Sequence, residues 1–330
     1  IIRKFIDMYA GRLRNQVSFM LSACNFYMPI FEEALDAYGL PLELRYLPII
    51  ESALNPSAVS RAGASGLWQF MIGTGKIYGL ESNSLVDERR DPIKATWAAA
   101  RYLKEMYDIY GDWNLVIAAY NCGPGTINKA IRRANGETDY WKIYNYLPKE
   151  TRGYVPAFIA ANYVMTYYCD HNICPMETNI PASTDTVQVN KNLHFEQIAD
   201  LCNVPLDQIK SLNPQYKKQM IPGDSKPYTL RLPIDAISTF IDKQDTIYAH
   251  RADELFRNRK TVAIKEITPS TRKTTTAVAG KGKLTYYTIK SGDTLSTIAG
   301  KYGVTIKDIQ RWNGMSNTKI AAGKRLKIYK

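Results

Sequence analysis

A carboxylate at the end of an apolar run is the first place in this sequence to look for chemistry. Glu51 follows Leu47-Pro48-Ile49-Ile50 and precedes Ser52-Ala53-Leu54-Asn55-Pro56, so a helix that carries it must break almost at once. A Glu set in apolar surroundings keeps its proton to a higher pH than usual, which is what a general acid requires. Taken alone, the same residue also reads as the exposed edge of an amphipathic helix. Other chemistries have less footing. His171, His194 and His250 are dispersed, with neither an HExxH pattern nor the spacing of a triad. Five cysteines (Cys24, Cys122, Cys169, Cys174, Cys202) are odd in number and scattered, and they make no metal pattern, so no metal and no cofactor is expected. Cys169 and Cys174 are near enough in sequence for a small loop disulfide, and free thiols are the equal alternative.

The residues after Glu51 add the specificity that one carboxylate lacks. The run Glu51-Ser52, Asn55-Pro56, Ser60, Ala62-Gly63-Ala64, Gly66-Leu67 and Gln69 is followed downstream by Ala119-Tyr120-Asn121-Cys122-Gly123-Pro124-Gly125, and then by Glu150-Thr151-Arg152-Gly153-Tyr154-Val155. In order and spacing these three segments resemble the signature of soluble-type lytic transglycosylases, members of the goose-type lysozyme superfamily. The likeness covers residues 30 to 170. With Trp68 in place of the more usual Met, and with C-terminal repeats, the chain looks most like the membrane-bound lytic murein transglycosylase D branch.

The resemblance implies non-hydrolytic cleavage of the β-1,4 bond between N-acetylmuramic acid and N-acetylglucosamine in peptidoglycan. Glycosidases commonly pair an acid with a nucleophile or base, yet no second Asp or Glu lies between Glu51 and Glu81. Glu51 is therefore expected to act first as acid and then as base, leaving a 1,6-anhydro end. A hydrolytic muramidase and a non-catalytic peptidoglycan-binding protein are the alternatives. Carried over position by position, Ser60, Gln69, Met71, Tyr120, Asn121 and Tyr154 are implied to bind substrate. Gly123, Pro124 and Gly125 read as a turn, Glu150 and Arg152 as a local ion pair, and Trp68 equally as core or as a sugar platform.

These residues need elements to hold them. Ile2, Phe5, Ile6, Tyr9, Leu13, Val17 and Met20 recur at helical spacing. Further helices are expected at 29–38, stopped by Gly39; from Pro41 through Ile50, kinked by Pro48; and at 67–78, 93–110, 113–121, 125–133 and 155–168. No strand is expected before residue 180. The fold class is thus multidomain: an all-α lysozyme-like catalytic domain with an N-terminal helical extension (1–180), followed by two small βααβ modules.

Those modules emerge from a repeat at an offset of 100 residues. Val189, Ile198, Ala199, Val204, Leu206, Ile209, Leu212 and Asn213 match Ile289, Ile298, Ala299, Val304, Ile306, Ile309, Trp312 and Asn313. The second copy, 284–330, contains Ser291-Gly292-Asp293-Thr294-Leu295 and resembles a LysM module. That likeness implies glycan binding by Gly292, Asp293, Thr294 and Leu295, with residues around Ile320 opposite. In the first copy, 185–235, Lys191-Asn192-Leu193-His194-Phe195 stands there instead, so a LysM-like fold with doubtful glycan affinity is expected. Residues 236–283 read as partly helical, then as a flexible basic linker.

The net charge of +12 divides unevenly along the chain. Residues 1–180 hold 18 Lys+Arg and 18 Asp+Glu, and 181–256 hold 8 and 10, whereas 257–283 hold 8 and 1 and 284–330 hold 9 and 2. The excess lies outside the expected catalytic domain, and no nucleic-acid recognition motif accompanies it, so nucleic acid is not an expected partner. Peptidoglycan glycan strands are. A monomer of the periplasm or cell envelope is expected, with an outer-membrane lipid anchor ahead of Ile1 left open.

Overall fold

The structure is a computed structural model that describes residues 1–178, 180, 181, 183–256, 284–290, 293–313, 315 and 320–329. It holds two compact units, one within residues 1–267 and one within 268–330. The linker segment at 257–283 and Gly292 lie outside the described residues.

The first unit begins with α1 (Ile2–Ala10), α2 (Arg14–Ala37) and the short α3 (Leu47–Ser52). Then come α4 (Ile72–Ile77), α5 (Pro92–Tyr110), α6 (Trp113–Cys122), α7 (Pro124–Arg133), α8 (Tyr140–Ile143) and α9 (Lys149–Thr166). Local chemistry sets the starts. Asp91, Asp112 and Asp139 accept first-turn backbone N–H groups of α5, α6 and α8, as good N-caps do. Pro48, Pro92 and Pro124 sit in first turns, where the missing N–H is not needed.

Several expected boundaries need correction. The helical face over residues 2–21 is divided between α1 and α2 by a turn at 11–13, and α9 begins at Lys149, ahead of the start expected at 155. The helix expected to begin at Pro29 starts at Arg14 and runs through that proline. Pro29 and Asn25, one turn before it, are exposed, so the helix bond that Pro29 cannot make is missing on an exposed face. Pro48 opens α3 instead of kinking a longer helix, and a 3-10 turn at Leu42–Tyr46 precedes it. The helix expected at 67–78 is confined to 72–77, because Gly63, Gly66 and Gln69 take positive φ and hold the preceding residues as a loop.

That loop is rooted in the core by Trp68, which is wholly buried. Its ring packs edge-to-face on Phe31 at 5.3 Å, and Nε1 donates to Thr96 Oγ1 at 2.9 Å. Of the two roles open to Trp68, the structure gives it the core.

After α9 the chain forms β1 (Thr184–Val189), β2 (Asn192–His194), α10 (Phe195–Cys202), α11 (Leu206–Leu212), β3 (Met220–Pro222) and β4 (Tyr228–Pro233). β1 pairs antiparallel with β4, Val189 opposite Tyr228, and β2 pairs with β3. Helices α12 (Ile234–Asp242), α13 (Gln244–Ala249) and α14 (Ala252–Leu255) follow, and α12 packs on α10 and the β1–β4 pair. Leu85 and Val86 of the helical domain are buried in this module's core, beside Val189, Phe195 and Leu230.

The second unit repeats the plan with β5 (Leu284–Thr288), α15 (Leu295–Tyr302), α16 (Ile306–Asn313) and β6 (Arg325–Tyr329), β5 pairing antiparallel with β6. The same clip closes both copies. Asn213 Nδ2 donates to the Ile209 and Arg231 carbonyls while Oδ1 accepts from Arg231 N. Asn313 does the same with Ile309 and Lys327. One amide thus ties the second helix of each copy to its last strand. Among the described residues, no helix is long and apolar enough to cross a membrane.

Truncating Trp68 to Ala leaves a large cavity and removes the Nε1 hydrogen bond to Thr96, and should cost about 3–5 kcal/mol. Chemical denaturation of the full chain checks this, with Trp68→Phe expected to retain most of the stability.

Candidate active site

Glu51 lies in the last turn of α3, which ends at once because Ala53 and Leu54 take left-handed backbone conformations before Asn55-Pro56. The carboxyl group opens into a groove of about 440 Å³. Ile49, Ile50, Ser52 and Ala53 form one wall, and Ala58, Val59, Ser60 and Gln69 another. Tyr9, Leu13, Gln16 and Met20, from α1, α2 and the turn between them, close the remaining side. The sequence marked Tyr9, Leu13 and Met20 as an apolar helical face but gave no sign that this face borders the site. Gln16 carried no signal at all. α1 reaches this position by packing along α9.

Burial pushes the Glu51 carboxyl up to about 7. A hydrogen bond donated by the Tyr154 hydroxyl to Glu51 Oε1 works the other way, because it favours the charged form. The negative charge of Glu150, in the first turn of α9, adds to the upward shift. Tyr154 is one turn further along α9 and is itself buried, its phenol held far above its ordinary range by burial and by the Glu51 charge. Glu51 therefore has a neutral hydroxyl at its side and a like charge acting on it, so it holds a proton near neutrality.

The loop from Gly63 to Met71 presents Gln69 to the groove, and side chains hold its carbonyls nearly one by one. Arg89 Nη1 donates to the Gly63 and Phe70 oxygens at 2.8 and 2.9 Å. Ser52 Oγ donates to Leu67 O at 2.9 Å, and Tyr120 Oη to Trp68 O at 2.7 Å. Gln69 Nε2 donates to Gly66 O at 2.8 Å and to Ala58 O at 3.3 Å. Gly66 has no alternative at its position: φ is +87°, and a Cβ would fall 1.7 Å from the Arg89 carbonyl oxygen.

Glu51, Ser60 and Gln69 thus share one groove, and Tyr154 touches Glu51. Ser60 is exposed, and its Oγ accepts from Ala64 N at 3.0 Å. Tyr120 supports the loop from below, its phenol raised far above its ordinary range by burial and then by the Glu51 charge. Met71 is exposed at the start of α4 and is not among the residues lining the groove. Asn121 Oδ1 accepts from Thr151 Oγ1 at 2.8 Å, which joins α6 to α9. Arg152 stacks on the Tyr144 ring at 5.9 Å.

In the second unit Asp293 accepts from Tyr287 Oη and Lys290 N, both at 2.8 Å, Thr294 caps α15, and Leu295 is buried in the module core. His194 and Phe195 occupy the matching cap and core positions of the first copy. The five cysteines are free. Among the described residues, no group of three His, Cys, Asp or Glu side chains could hold a metal ion.

A helical domain followed by two small modules of helices and paired strands is the arrangement that family comparison also finds. Residues 28–143 match the Transglycosylase SLT domain, 183–249 the LysM-like domain of lytic transglycosylase MltD, and 287–328 the LysM domain. The chain carries an SLT domain of lysozyme-like helical fold followed by two LysM-type domains.

Among individual proteins, it is similar to the membrane-bound lytic murein transglycosylase D of Escherichia coli K12. Identity is 33% over 296 residues, covering 88% of this chain and 60% of that protein. The chain therefore spans about three fifths of that relative's length. The soluble lytic murein transglycosylase of the same strain is 33% identical over 124 residues, covering 36% of this chain and 19% of that protein. The crystal structure of the 70 kDa soluble lytic transglycosylase from Escherichia coli aligns at 29% identity with a TM-score of 0.38, covering 43% of this chain and 24% of that one.

Two measurements test the Glu51 environment. A carboxyl whose pKa rises on folding stabilises the fold below its ordinary value of 4.5, and that stability is lost as pH climbs through about 7. Glu51→Gln should therefore gain stability over the wild type across that window, by about 2 kcal/mol at pH 8 after discounting for the open groove, and gain nothing at pH 4. Thermal unfolding across pH reads this difference. Tyr154→Phe removes the one bond that favours the carboxylate, so the Glu51 pKa should move upward, as followed by carboxyl-carbon NMR titration.

Proposed function

We propose that this chain is a peptidoglycan lytic transglycosylase that cleaves the N-acetylmuramic acid β-1,4 N-acetylglucosamine bond without water. The observation that carries the reading is Glu51: a carboxyl raised to about 7, in a groove within the matched SLT domain. At neutral pH much of it is protonated and can donate to the glycosidic oxygen as the bond breaks. The resulting carboxylate then takes the proton of the muramyl 6-hydroxyl, whose oxygen attacks the anomeric carbon and closes a 1,6-anhydro ring. Proton count balances, since Glu51 ends each cycle as it began. The substrate's own N-acetyl group takes the place of an enzymic nucleophile, as in substrate-assisted glycosidases.

The groove suits such a substrate. Gln69 spends its amide hydrogens on the Gly66 and Ala58 carbonyls, which leaves Oε1 as the atom to accept an acetamido N–H. Ser60 Oγ accepts from Ala64 N and keeps its own proton for a sugar oxygen. Tyr154 fixes the Glu51 rotamer, and Tyr120 and Asn121 act through the loop and helix they tie down. Met71 offers an exposed apolar contact at the edge.

The C-terminal LysM domain binds N-acetylglucosamine-containing glycan and holds the enzyme on the wall. Asp293 and Thr294 lead into its first helix, which Leu295 opens. The basic C-terminal quarter adds a salt-screened attraction to anionic surfaces. The setting is the cell envelope, in keeping with the membrane-bound and soluble murein enzymes that the chain resembles.

Digestion of purified sacculi followed by mass spectrometry tests the reaction. Anhydro-ended muropeptides are expected from the wild type, with a loss of about 10²–10⁴ in rate for Glu51→Gln. Reducing ends would point to hydrolysis. An inactive wild type that still binds sacculi would point to a binding protein.

A further inference from the structure

The LysM-like module is joined to the helical domain by more than apolar packing. A tight turn at residues 82–87 reaches out of the helical domain, closed by Asn83, whose Oδ1 accepts from Leu85 N and Val86 N at 2.8 and 2.7 Å. Residues 215–217 of the module bind this turn edge-on: Asp87 N donates to Gln215 O, and Lys217 N to Leu85 O, each at 2.8 Å. The Lys217 ammonium donates to Asn83 O at 2.7 Å and stands 3.8 Å from Asp87 Oδ2.

Asp87 in turn grips Arg89 with both oxygens, Nε to Oδ1 at 2.9 Å and Nη2 to Oδ2 at 2.8 Å. The side chains of this pair are 2% and 6% exposed. Arg89 Nη1 is then aimed at Gly63 O and Phe70 O, the two ends of the loop that bears Gln69.

Gln69 has φ +48°, a conformation that a non-glycine residue keeps only when its surroundings over-determine it. The Phe70 carbonyl, next in the chain, is the point where Arg89 supplies that restraint. A lysine in place of Arg89 could not, because one ammonium cannot reproduce a fork that spans a carboxylate and two carbonyls.

We infer that the LysM-like module acts as a brace for the reaction groove, with Lys217 holding the Asp87 turn and Arg89 passing that restraint to the Gly63–Phe70 loop and Gln69. Lys217 and Arg89 are positioning residues, neither touching substrate, and the inference rests on the function proposed above only in its kinetic readout. It gives the module a task that needs no glycan affinity.

The test compares wild type, Lys217→Met, Lys217→Arg and Arg89→Lys in the full chain. Lys226→Ala serves as control, since it removes the neighbouring but half-exposed pair with Glu81. On sacculi, Arg89→Lys should lower kcat about 30-fold and Lys217→Met about 5-fold with KM within twofold, the scale expected when a binding group is misplaced by a fraction of an ångström. Lys217→Arg should recover most of the loss, and Lys226→Ala should match the wild type.

Independently of activity, hydrogen exchange at Ser65, Gly66 and Gln69, whose amides bond within or beside this loop, should accelerate about 10-fold or more in Arg89→Lys and Lys217→Met, while α5 and α9 amides keep their protection. Unchanged loop exchange in both variants would overturn the brace even if the wild type proves to be a transglycosylase. So would acceleration spread equally over the helical core, or a Lys226→Ala loss equal to that of Lys217→Met. A wild type that releases no anhydro product but shows the loop effect would instead overturn the proposed reaction and leave the brace standing.

Discussion

An arginine side chain that is 6% exposed survives in a fold only if its charge is matched and its donors are used, because an unpaired buried guanidinium costs several kcal/mol. Asp87 matches the Arg89 charge, and the Gly63 and Phe70 carbonyls take the fork that remains. The pair gives little net stability against an apolar substitute, yet it imposes geometry that an apolar contact could not. The carbonyls of residues 63 and 70 must lie where the fork points, so the segment between them must loop. Gly66, pressed against the Arg89 carbonyl, and Gln69, with a left-handed backbone, are the accommodations made by that segment.

The acid at the centre of the groove follows a contrary rule. Arg89 is buried with each guanidinium nitrogen hydrogen-bonded, whereas Glu51 is partly buried with too few partners to ionise readily. Its one close donor, Tyr154, is a neutral phenol, and the nearest charge acting on it, Glu150, has the same sign. The electrostatics of the domain are thus partitioned. The charged pair has its counter-ion beside it, and the carboxyl with the raised pKa has a neutral phenol and a like charge.

Much of this was legible in the sequence, for reasons that differ residue by residue. Glu51, Gln69, Tyr120 and Tyr154 fall in short motifs whose spacing survives any change of surface, and the 100-residue repeat shows because each copy needs the same apolar skeleton and the same asparagine clip. The helix starts expected at 93 and 113 fall within one residue of the observed ones, where Asp91 and Asp112 cap the first turns. The brace was not readable. Lys217 meets Asn83 across 134 residues and Arg89 meets Phe70 across 19, and nothing local in either segment announces the other. The contribution of α1 and α2 to the groove was hidden differently: Tyr9 and Leu13 fit a helical apolar face so well that burial in the core accounted for them. Pro29 misled because a proline within a helix reads as a start, unless its solvent-facing position is known.

Leu85 and Val86 belong by sequence to the helical domain and by burial to the core of the module that follows it. Two domains that share a core in this way cannot be separated at the sequence boundary between them. A chain ended after α9 would bare both side chains to water and leave the Asp87 turn without its edge partner, so such a fragment is a damaged protein and not a smaller one. The intact minimal unit runs at least through the helices that seal the module, to Phe256.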